Sequence, residues 1–291
     1  MLKSVFIYSC AHPLALDYIN DDCEKLKYIA PMPQSVESFG WSDDDNIFVH
    51  SANPFYLMRY RTDKKIIPSS AVEDACKEKA GDLSQLSHSE KKQLKDDVLM
   101  TLKPQALCRR QDVPVVWHHG LSQLWVGASS VVKADAVMEW VIQTWPGIKA
   151  MPWFDRSLLG EVLTQALKDQ SWPKGVMPGQ KVVLVDPRDT KKKVTVQGVE
   201  VDSDAVMHWL SQGFMVQQIQ LIWQDKVQWQ FSDSGVWSGI KDMSFAESLH
   251  EQENEPMTRE WLQCALVEEL VEGWGSWLEE RRLCQVSSEV S

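Results

Sequence analysis

The chain has 291 residues, of which 44% are apolar and 14 are tryptophan, and its formal net charge is −11. A chain of this length can bury a large core and divide into two or three domains, and its tryptophan content excludes a disordered protein. It contains no run of about 18 apolar residues, so we predict that no segment crosses a membrane.

The opening residues, MLKSVFIYSC, predict a first strand rather than a secretion signal. Their apolar run, residues 5–8, is too short for the hydrophobic region of a signal peptide, and no small-residue cleavage site follows. The six cysteines lie far apart without a C-x-x-C pair, which predicts reduced thiols rather than disulfides or a zinc site. We therefore expect a cytoplasmic protein.

The N-terminal half alternates predicted strands and helices. A short helix is predicted from Asp21, an alternating strand over 55–61, and a helix that stops near Gly81. The residues SHSE at 87–90 match the S-x-x-E capping box, which predicts a helix over 89–103 that stops before Pro104.

The middle of the chain predicts paired strands around Gly120 and then two amphipathic helices. The segment PKGVMPGQ, residues 173–180, holds two prolines and two glycines, which favours a linker or an exposed loop. We therefore predict an N-terminal α+β region over 1–172 and a C-terminal α+β region over 181–291.

The C-terminal half predicts two strands with a tight turn at Gln197-Gly198, a short helix and an antiparallel hairpin within 214–231. One face of the hairpin is apolar, and the other is lined by glutamines, which suits solvent, an amide-lined interface or a groove. A last helix is predicted from Thr258, with a stripe that suits core packing or a dimer contact: Leu262, Leu266, Leu270 and Trp274.

The charge is unevenly distributed along the chain. Residues 59–110 hold 12 Lys or Arg and 8 Asp or Glu, whereas residues 243–291 hold 3 and 11. Because salt screens each charge within about 8–10 Å, a local basic surface on an acidic protein can still bind a polyanion. The same acidic body would repel nucleic acid elsewhere.

Two lysine clusters are candidates for phosphate contacts. Lys91, Lys92 and Lys95 lie on the predicted helix 89–103, where a solvated face balanced by acidic neighbours is the alternative. A second run at a strand start suits a mobile loop or a phosphate contact: Lys191, Lys192 and Lys193. Such contacts carry no base sequence information, so either cluster predicts non-specific binding.

The sequence supports no catalytic site. His118 and His119 are adjacent on a predicted strand and therefore point to opposite faces, which favours packed or surface histidines over a metal pair. Asp43, Asp44 and Asp45 lack the spacing of a calcium loop and predict a solvated turn. No nucleotide-binding or nucleophile-elbow motif is present, so we expect neither an enzyme nor a metal or cofactor.

Several segments, in order along the chain, resemble the recombination-associated RdgC family. They are KKIIPSSAVEDACKEK, LSHSEKKQLKDDVLMTLKPQALCRR and GLSQLWVGASSVVKADAV, with Gly40-Trp41 before them. The stretch VDSDAVMHWLSQGFMVQQIQLIWQDKVQWQF and the near-terminal VEGWG agree as well. The resemblance spans nearly the whole chain.

This resemblance implies a non-enzymatic bacterial protein that binds double-stranded DNA with little sequence preference, with single-stranded DNA left open. It implies an elongated, multi-domain α+β subunit with mixed, largely antiparallel sheets and flanking helices. Two subunits are expected to form a ring-shaped homodimer whose basic hole encircles DNA. The resemblance also implies that the protein limits the assembly of RecA-type recombinase filaments. A nucleoid-associated location is therefore expected.

By matching position, the resemblance marks Lys65, Lys91, Lys95 and Arg109 as DNA-facing. Lys92 and Arg110 are basic neighbours of this set, and Lys191, Lys192 and Lys193 are a further candidate contact. The finger tip, basic in the family, is Gln197, Gly198 and Val199 here. Leu107 stands where the family has an aromatic dimer contact, which predicts a ring that opens more easily.

Two other functions remain open from the residues alone. The acidic surface favours a protein-interaction module or a DNA mimic that binds a basic partner. An unrecognised hydrolase is the third.

Overall fold

The protein is described by a computed structural model over residues 2–15, 18–42, 47–49, 55–81, 86–243 and 256–281. It is an α+β protein, as the sequence predicted. It divides into two compact units: unit 1 holds Met1–Leu14, Phe48–Tyr56 and Pro114–Ser291, and unit 2 holds Ala15–Ile47 and Leu57–Val113.

The described helices are α1 Ile19–Lys25, α2 Ser69–Ala80, α3 His88–Leu102, α4 Val131–Thr144, α5 Arg156–Asp169, α6 Asp204–Ser211 and α7 Pro256–Glu280. The described strands are β1 Ser4–Cys10, β2 Glu37–Trp41, β3 Ile47–Val49, β4 Phe55–Ile66, β5 Leu107–His118, β6 Gln123–Val126, β7 Ala150–Pro152, β8 Val176–Asp186, β9 Asp189–Gln197, β10 Met215–Trp223, β11 Val227–Ser232 and β12 Trp237–Asp242.

Unit 1 is built on an antiparallel sheet. The end of β5 pairs with β6, and the order continues through β1, β12, β11, β10 and β8 to the edge strand β9, while β7 also pairs with β1. The strand pairs in this series are antiparallel, as the alternating sequence of the predicted hairpin indicates.

An aromatic cluster holds α7 against this sheet. The ring of Trp237 lies 6.4 Å from Trp229, 6.1 Å from Phe231 and 6.4 Å from Trp274 of α7, measured between ring centroids. All four side chains are fully buried. Burying a large apolar side chain contributes about 1.5–3 kcal/mol, so this cluster is a main source of stability in unit 1.

Unit 2 contains β2, the larger part of β4 and the start of β5, next to helices α1, α2 and α3. Gly40 on β2 is required by a close backbone approach, because a Cβ there would lie 2.6 Å from the nitrogen of Tyr28. Helices α2 and α3 pack on each other around a small apolar cluster of their own.

Several predicted boundaries differ from the structure. Helix α1 begins at Ile19 after Tyr18, which provides no side-chain cap, rather than at Asp21. Residues 176–180 of the predicted linker are the first part of β8, because this segment pairs with β10. The domain boundaries at 172 and 181 remain a prediction.

The predicted stripe on the last helix is in part core. Leu270 and Trp274 are fully buried and Leu266 is half-buried, whereas the side chain of Leu262 lies outside the described residues. In the described part of the chain the cysteines are free thiols: Cys10, Cys23, Cys76, Cys108 and Cys264. Among the described helices, none has the length and apolar character needed to cross a membrane.

Candidate nucleic-acid interface

Helix α3 presents three of the predicted DNA-facing lysines. The Ser87 hydroxyl accepts the N–H of Glu90, and the Glu90 carboxylate accepts the N–H of Ser87 at 2.8 Å, which confirms the predicted capping box. Lys91, Lys92 and Lys95 are exposed on the helix that begins there. The cap therefore determines where this basic surface starts.

An apolar groove lies between α2 and α3, beside two of these lysines. Its volume is about 360 Å³, and Lys91 and Lys95 lie at its rim, while Lys92 does not line it. The helices contact each other where Val98 packs with Val72 and Cys76. The apolar wall of the groove is formed by Ile67, Val72, Cys76, Leu94 and Leu99.

The start of β5 exposes both an apolar and a basic side chain. Leu107 is 81% exposed, which is unusual for a leucine. Arg109 is exposed as well, and within the described residues its side chain has no hydrogen-bonding or ionic partner. Because side chains alternate along a strand, Leu107 and Arg109 share one side of β5 and Arg110 lies on the other.

Arg110 is bound to a buried carboxylate of the neighbouring strand β4. Its Nε donates to Asp63 Oδ1 and its Nη2 to Asp63 Oδ2, both at 3.1 Å, and Asp63 is only 4% exposed. The Tyr28 hydroxyl donates to the same carboxylate at 2.6 Å. The hydrogen bonds from Arg110 lower the pKa of Asp63 despite its burial.

A second arginine completes this network. Arg61 Nε donates to Asp112 Oδ1 at 2.9 Å, and its guanidinium carbon lies 5.7 Å from the centre of the Tyr28 ring. Arg110 lies 5.8 Å from the same ring. Burial, followed by the hydrogen bond to Asp63, raises the pKa of Tyr28. The cluster is therefore held in one arrangement by charge-assisted bonds.

Lys65 is placed differently from the other predicted contacts. It is 8% exposed, and its Nζ donates to the backbone oxygens of Met32 at 2.9 Å and Pro33 at 2.6 Å. The Lys65 ammonium group thus provides hydrogen bonds to two backbone oxygens of the loop before β2. A DNA contact by Lys65 remains a prediction, and it would require these bonds to break.

The second lysine cluster lies on β9, at the edge of the sheet in unit 1. Lys191, Lys192 and Lys193 are exposed, and the Lys192 Nζ lies 3.8 Å from Asp189 Oδ2. Lysines on an edge strand also prevent pairing with other chains, so edge protection is an alternative to a phosphate contact. Their role as DNA contacts remains a prediction.

The residues predicted as a finger tip lie where β9 ends. The hairpin of β8 and β9 turns at Pro187 and Arg188, whereas Gln197, Gly198 and Val199 lie at its opposite end. Gly198 has a φ of +81° and its N–H donates to the Gln180 oxygen at 2.9 Å. These three residues are exposed, but they do not form the turn of this hairpin.

The adjacent histidines do not form a joint site. His118 is fully buried; its Nδ1 accepts the N–H of Leu121 at 3.2 Å, and its Nε2 lies 3.3 Å from Glu268 Oε1. Burial lowers the pKa of His118, although Glu268 and Glu272 oppose this effect. The ring of His119 instead lies 6.4 Å from that of Trp117.

Asp43, Asp44 and Asp45 lie outside the described residues. Within the described ranges, no group of three or more His, Cys, Asp or Glu side chains is gathered so as to hold a metal ion.

Sequence reasoning missed two features of this surface. One is Asp63, the single acidic residue in RYRTDKK, whose position among basic neighbours was the available signal. The other is the groove, which helical spacing of Val72 with Cys76 and of Leu94 with Val98 indicated. The sequence signals do not show which residues these side chains contact. Asp63 binds Arg110, and Val72 packs on Val98, across long separations in the chain.

Comparisons with known proteins are consistent over most of the chain. A family model described as "Putative exonuclease, RdgC" matches residues 1–266. The chain is 24% identical over 264 residues to "Recombination-associated protein RdgC" of Pseudomonas aeruginosa (strain LESB58), covering 86% of this chain and 85% of that protein. For the protein of that name from Pseudomonas entomophila (strain L48), identity is 26% over 222 residues, with coverages of 75% and 71%. The protein of the same name from Shewanella sediminis (strain HAW-EB3) is 21% identical over 269 residues, which cover 89% of this chain and 88% of that protein.

Proposed function

Because the chain belongs to the RdgC family, we propose that it binds duplex DNA without sequence preference as a ring-shaped homodimer. Bound in this way, it restrains the assembly of RecA-type recombinase filaments during DNA recombination. The observation that carries the proposal is a set of four exposed cationic side chains in unit 2, Lys91, Lys92 and Lys95 on α3 and Arg109 on β5.

Charge and exposure support DNA as the ligand. The four side chains are cationic and exposed in a protein with a net charge of −11. Lysine and arginine contact phosphates at any base sequence, and binding releases condensed counterions from the duplex. The acidic remainder disfavours other orientations of the DNA. Lys191, Lys192 and Lys193 are proposed as an auxiliary contact.

Unit 2 also has two apolar features that suit a subunit contact. Leu107 is an exposed apolar side chain, and the groove between α2 and α3 is an exposed apolar cavity. In a two-fold dimer each subunit contributes the same surface. Leu107 of each copy can therefore enter the groove of the other copy, which forms the contact two times per dimer. We assign closure of the ring to this contact, with Lys91 and Lys95 beside it.

DNA binding is tested by the anisotropy of a labelled random-sequence duplex, titrated with the protein at several NaCl concentrations. We expect log affinity to fall linearly with log salt, with a slope of about −0.9 for each phosphate contact. A second duplex of different sequence should give the same affinity within about threefold, since phosphate contacts read no bases. No binding at low salt would contradict the proposal.

Encirclement requires a separate test. The protein is loaded on a closed circular plasmid, washed at high salt, and the plasmid is then cut once with a restriction enzyme. A ring stays on the circle through the wash, because it is linked topologically, and leaves after the cut. Release by the wash alone would show an open or one-sided complex.

The restraint of recombination is tested by filament assembly. A RecA-type recombinase is added with ATP to DNA that carries the protein, and filament formation is followed by ATP hydrolysis. We expect slower assembly than on bare DNA. A variant with Lys91, Lys92 and Lys95 changed to glutamine should restore the rate if occupation of DNA is the mechanism.

The acidic C-terminal segment favours a second candidate, a module that binds a basic partner. Residues 243–291 hold 3 Lys or Arg and 11 Asp or Glu. Under this alternative the protein fails to bind the duplex and instead competes with DNA for a basic protein.

The family description also mentions an exonuclease. Incubation of end-labelled duplex with Mg²⁺ or Mn²⁺ tests that activity, and we expect the label to remain on full-length DNA.

A further inference from the structure

The outer face of the sheet in unit 1 is lined by amides and lysines. In β10 and β11, Ile219, Leu221 and Trp229 are buried, so the alternate residues face the other way. Those residues are the half-buried Gln218, Gln220, Gln228 and Gln230, with the half-buried Ile222 opposite Gln228 and the buried Ser232 opposite Gln218. We name this surface the amide face and define it by Gln218, Gln220, Gln228, Gln230, Lys181 and Lys241.

Register places these side chains side by side. Gln220 is directly opposite Gln230, and Gln228 is opposite Lys241 on β12. Lys181 on β8 has the same orientation as Val183, which is opposite Gln218. Residues directly opposite on antiparallel strands have Cβ atoms about 4.5–5.5 Å apart. The amides and the lysines therefore belong to one continuous surface.

Two glycines lie beside the glutamine amides at the centre of this face. The Gln220 Oε1 accepts the N–H of Gln180 at 2.8 Å, and a Cβ on Gly179 would lie 2.5 Å from that oxygen. Gly239 has a φ of +60°, and a Cβ there would lie 3.6 Å from Gln230 Nε2. Both glycines occur where the strand register shifts. The Gln220 amide thus lies along the backbone, with its NH₂ group left to donate.

The charge of the face differs from that of the protein. The cross-strand rows through the six defining residues contain no Asp or Glu, although the chain has 41 acidic and 30 basic residues. Within the described residues, Lys181 and Lys241 have no ion pair. Lys193 also points to this side, but it lies near Asp233 and is not counted as part of the face.

We propose that the amide face is a second DNA-binding surface of this protein, which contacts the sugar-phosphate backbone. Lys181 and Lys241 pair with phosphates, and the glutamine NH₂ groups donate to phosphate oxygens, as glutamine does in many DNA complexes. Between β8 and β12 this face has no aromatic side chain, so bases have nothing to stack on. The face therefore binds the backbone and not unpaired bases.

A second copy of the chain is a less suitable occupant. A two-fold contact through this face would bring the same lysines of both copies together without an acidic residue of the face to balance them. An acidic protein partner would meet the same charges, and it is one of the outcomes of the test. The inference rests on the proposed DNA-binding function and adds a surface to it.

The first experiment measures the salt dependence of duplex binding for Lys181→Gln/Lys241→Gln. If both lysines contact phosphates, the slope of log affinity against log salt becomes less steep by about 1.8, or about 0.9 for each contact. The matched control is Lys133→Gln/Lys168→Gln, which removes two exposed lysines from α4 and α5 and should keep the wild-type slope.

A second variant tests the amides without changing their size. Gln228→Glu/Gln230→Glu places two carboxylates on the face, and we expect at least a tenfold loss of duplex affinity at low salt. Gln143→Glu on α4 is the control for added charge at an exposed site. Far-ultraviolet circular dichroism and the thermal midpoint show whether each variant is folded.

Lysine acetylation gives an independent measurement on the wild-type chain. Bound duplex should protect Lys181 and Lys241 from an acetylating reagent, while Lys133 and Lys168 stay reactive. Suppose that the wild type binds DNA, but the salt slope of Lys181→Gln/Lys241→Gln and the affinity of Gln228→Glu/Gln230→Glu equal those of the wild type, and DNA protects neither lysine. The amide face is then not a DNA surface, and the proposed function survives. Protection by an acidic protein alone would also overturn the inference. If the wild type binds no duplex, both proposals fail.

Discussion

Arg110 and Asp63 form two parallel hydrogen bonds of 3.1 Å between neighbouring strands, and this pair separates the roles of two adjacent arginines. Both arginines are exposed, but the Arg110 guanidinium is hydrogen-bonded to a buried carboxylate, whereas Arg109 lies on the opposite side of β5. We therefore expect a structural role for Arg110, and the predicted DNA contacts of both arginines stay predictions.

We expect Arg110→Gln to destabilise unit 2 and Arg109→Gln to weaken DNA binding. Removing Arg110 takes away the two hydrogen bonds that its guanidinium donates to the buried Asp63 carboxylate, so the free energy of unfolding should fall. Urea denaturation measures that loss, and anisotropy measures the affinity of both variants. The assignment is wrong if Arg109→Gln lowers stability and Arg110→Gln lowers only affinity.

The lysines on α3 should account for a measurable part of the salt dependence. In Lys91→Gln/Lys92→Gln/Lys95→Gln, we expect the slope of log affinity against log salt to become less steep by about 0.9 for each of these lysines that binds a phosphate in the natural protein. Stability should change little, since these side chains are exposed. A slope equal to that of Lys133→Gln/Lys168→Gln would mean that α3 is only a solvated face.

In the proposed homodimer, Leu107 should control subunit association. Burying a leucine contributes about 1.5–3 kcal/mol, so Leu107→Ser should raise the dimer dissociation constant by roughly tenfold or more. Leu107→Phe adds apolar area and should slow dissociation relative to the natural residue. Sedimentation velocity over a dilution series gives the constant, and subunit exchange between labelled dimers gives the rate.

The control for Leu107 is Val132→Ser on α4, because Val132 is also strongly exposed, at 79%. It should leave association unchanged. If the natural dimer dissociates no faster than Leu107→Phe, the idea that leucine eases ring opening is wrong. If Leu107→Ser and Val132→Ser behave alike, Leu107 is not at the dimer contact.

His118 predicts a loss of stability in mild acid. Its folded-state pKa is lowered by burial, so the unfolded chain, with a histidine pKa of about 6.5, binds the proton more readily. This contribution is therefore present above about pH 6.5 and is lost as the pH falls below it. The carboxylates of Glu268 and Glu272 on α7 favour the protonated ring and reduce the effect, but burial is the larger cause.

The test compares the unfolding free energy from pH 7.5 to pH 5 in the natural protein and in His118→Asn. The asparagine amide oxygen can accept the Leu121 N–H in place of Nδ1, and it does not titrate. We expect a flatter profile for His118→Asn and no change for His12→Asn, whose side chain is exposed. Identical profiles for all three would mean that His118 is not the titrating group.

Much of the local structure could be predicted from the sequence. The capping box at Ser87 was confirmed, and so were the hairpin of β10 and β11 and the apolar face that its alternation indicated. Each depends on residues only a few positions apart. Helix α1 was placed less well, because its start at Ile19 depends on burial of that side chain rather than on a capping residue.

Short-range patterns in the chain were enough to indicate the class of fold, the positions of most helices and strands, and which residues carry positive charge, because propensity, capping and alternation act over a few residues. Which of those charges remain available depends on tertiary packing. Arg110 meets Asp63 from 47 positions away, and Lys65 meets Met32 from 33 positions away. A cation is free for a ligand only when the fold brings it no buried acceptor, and that depends on how distant segments pack.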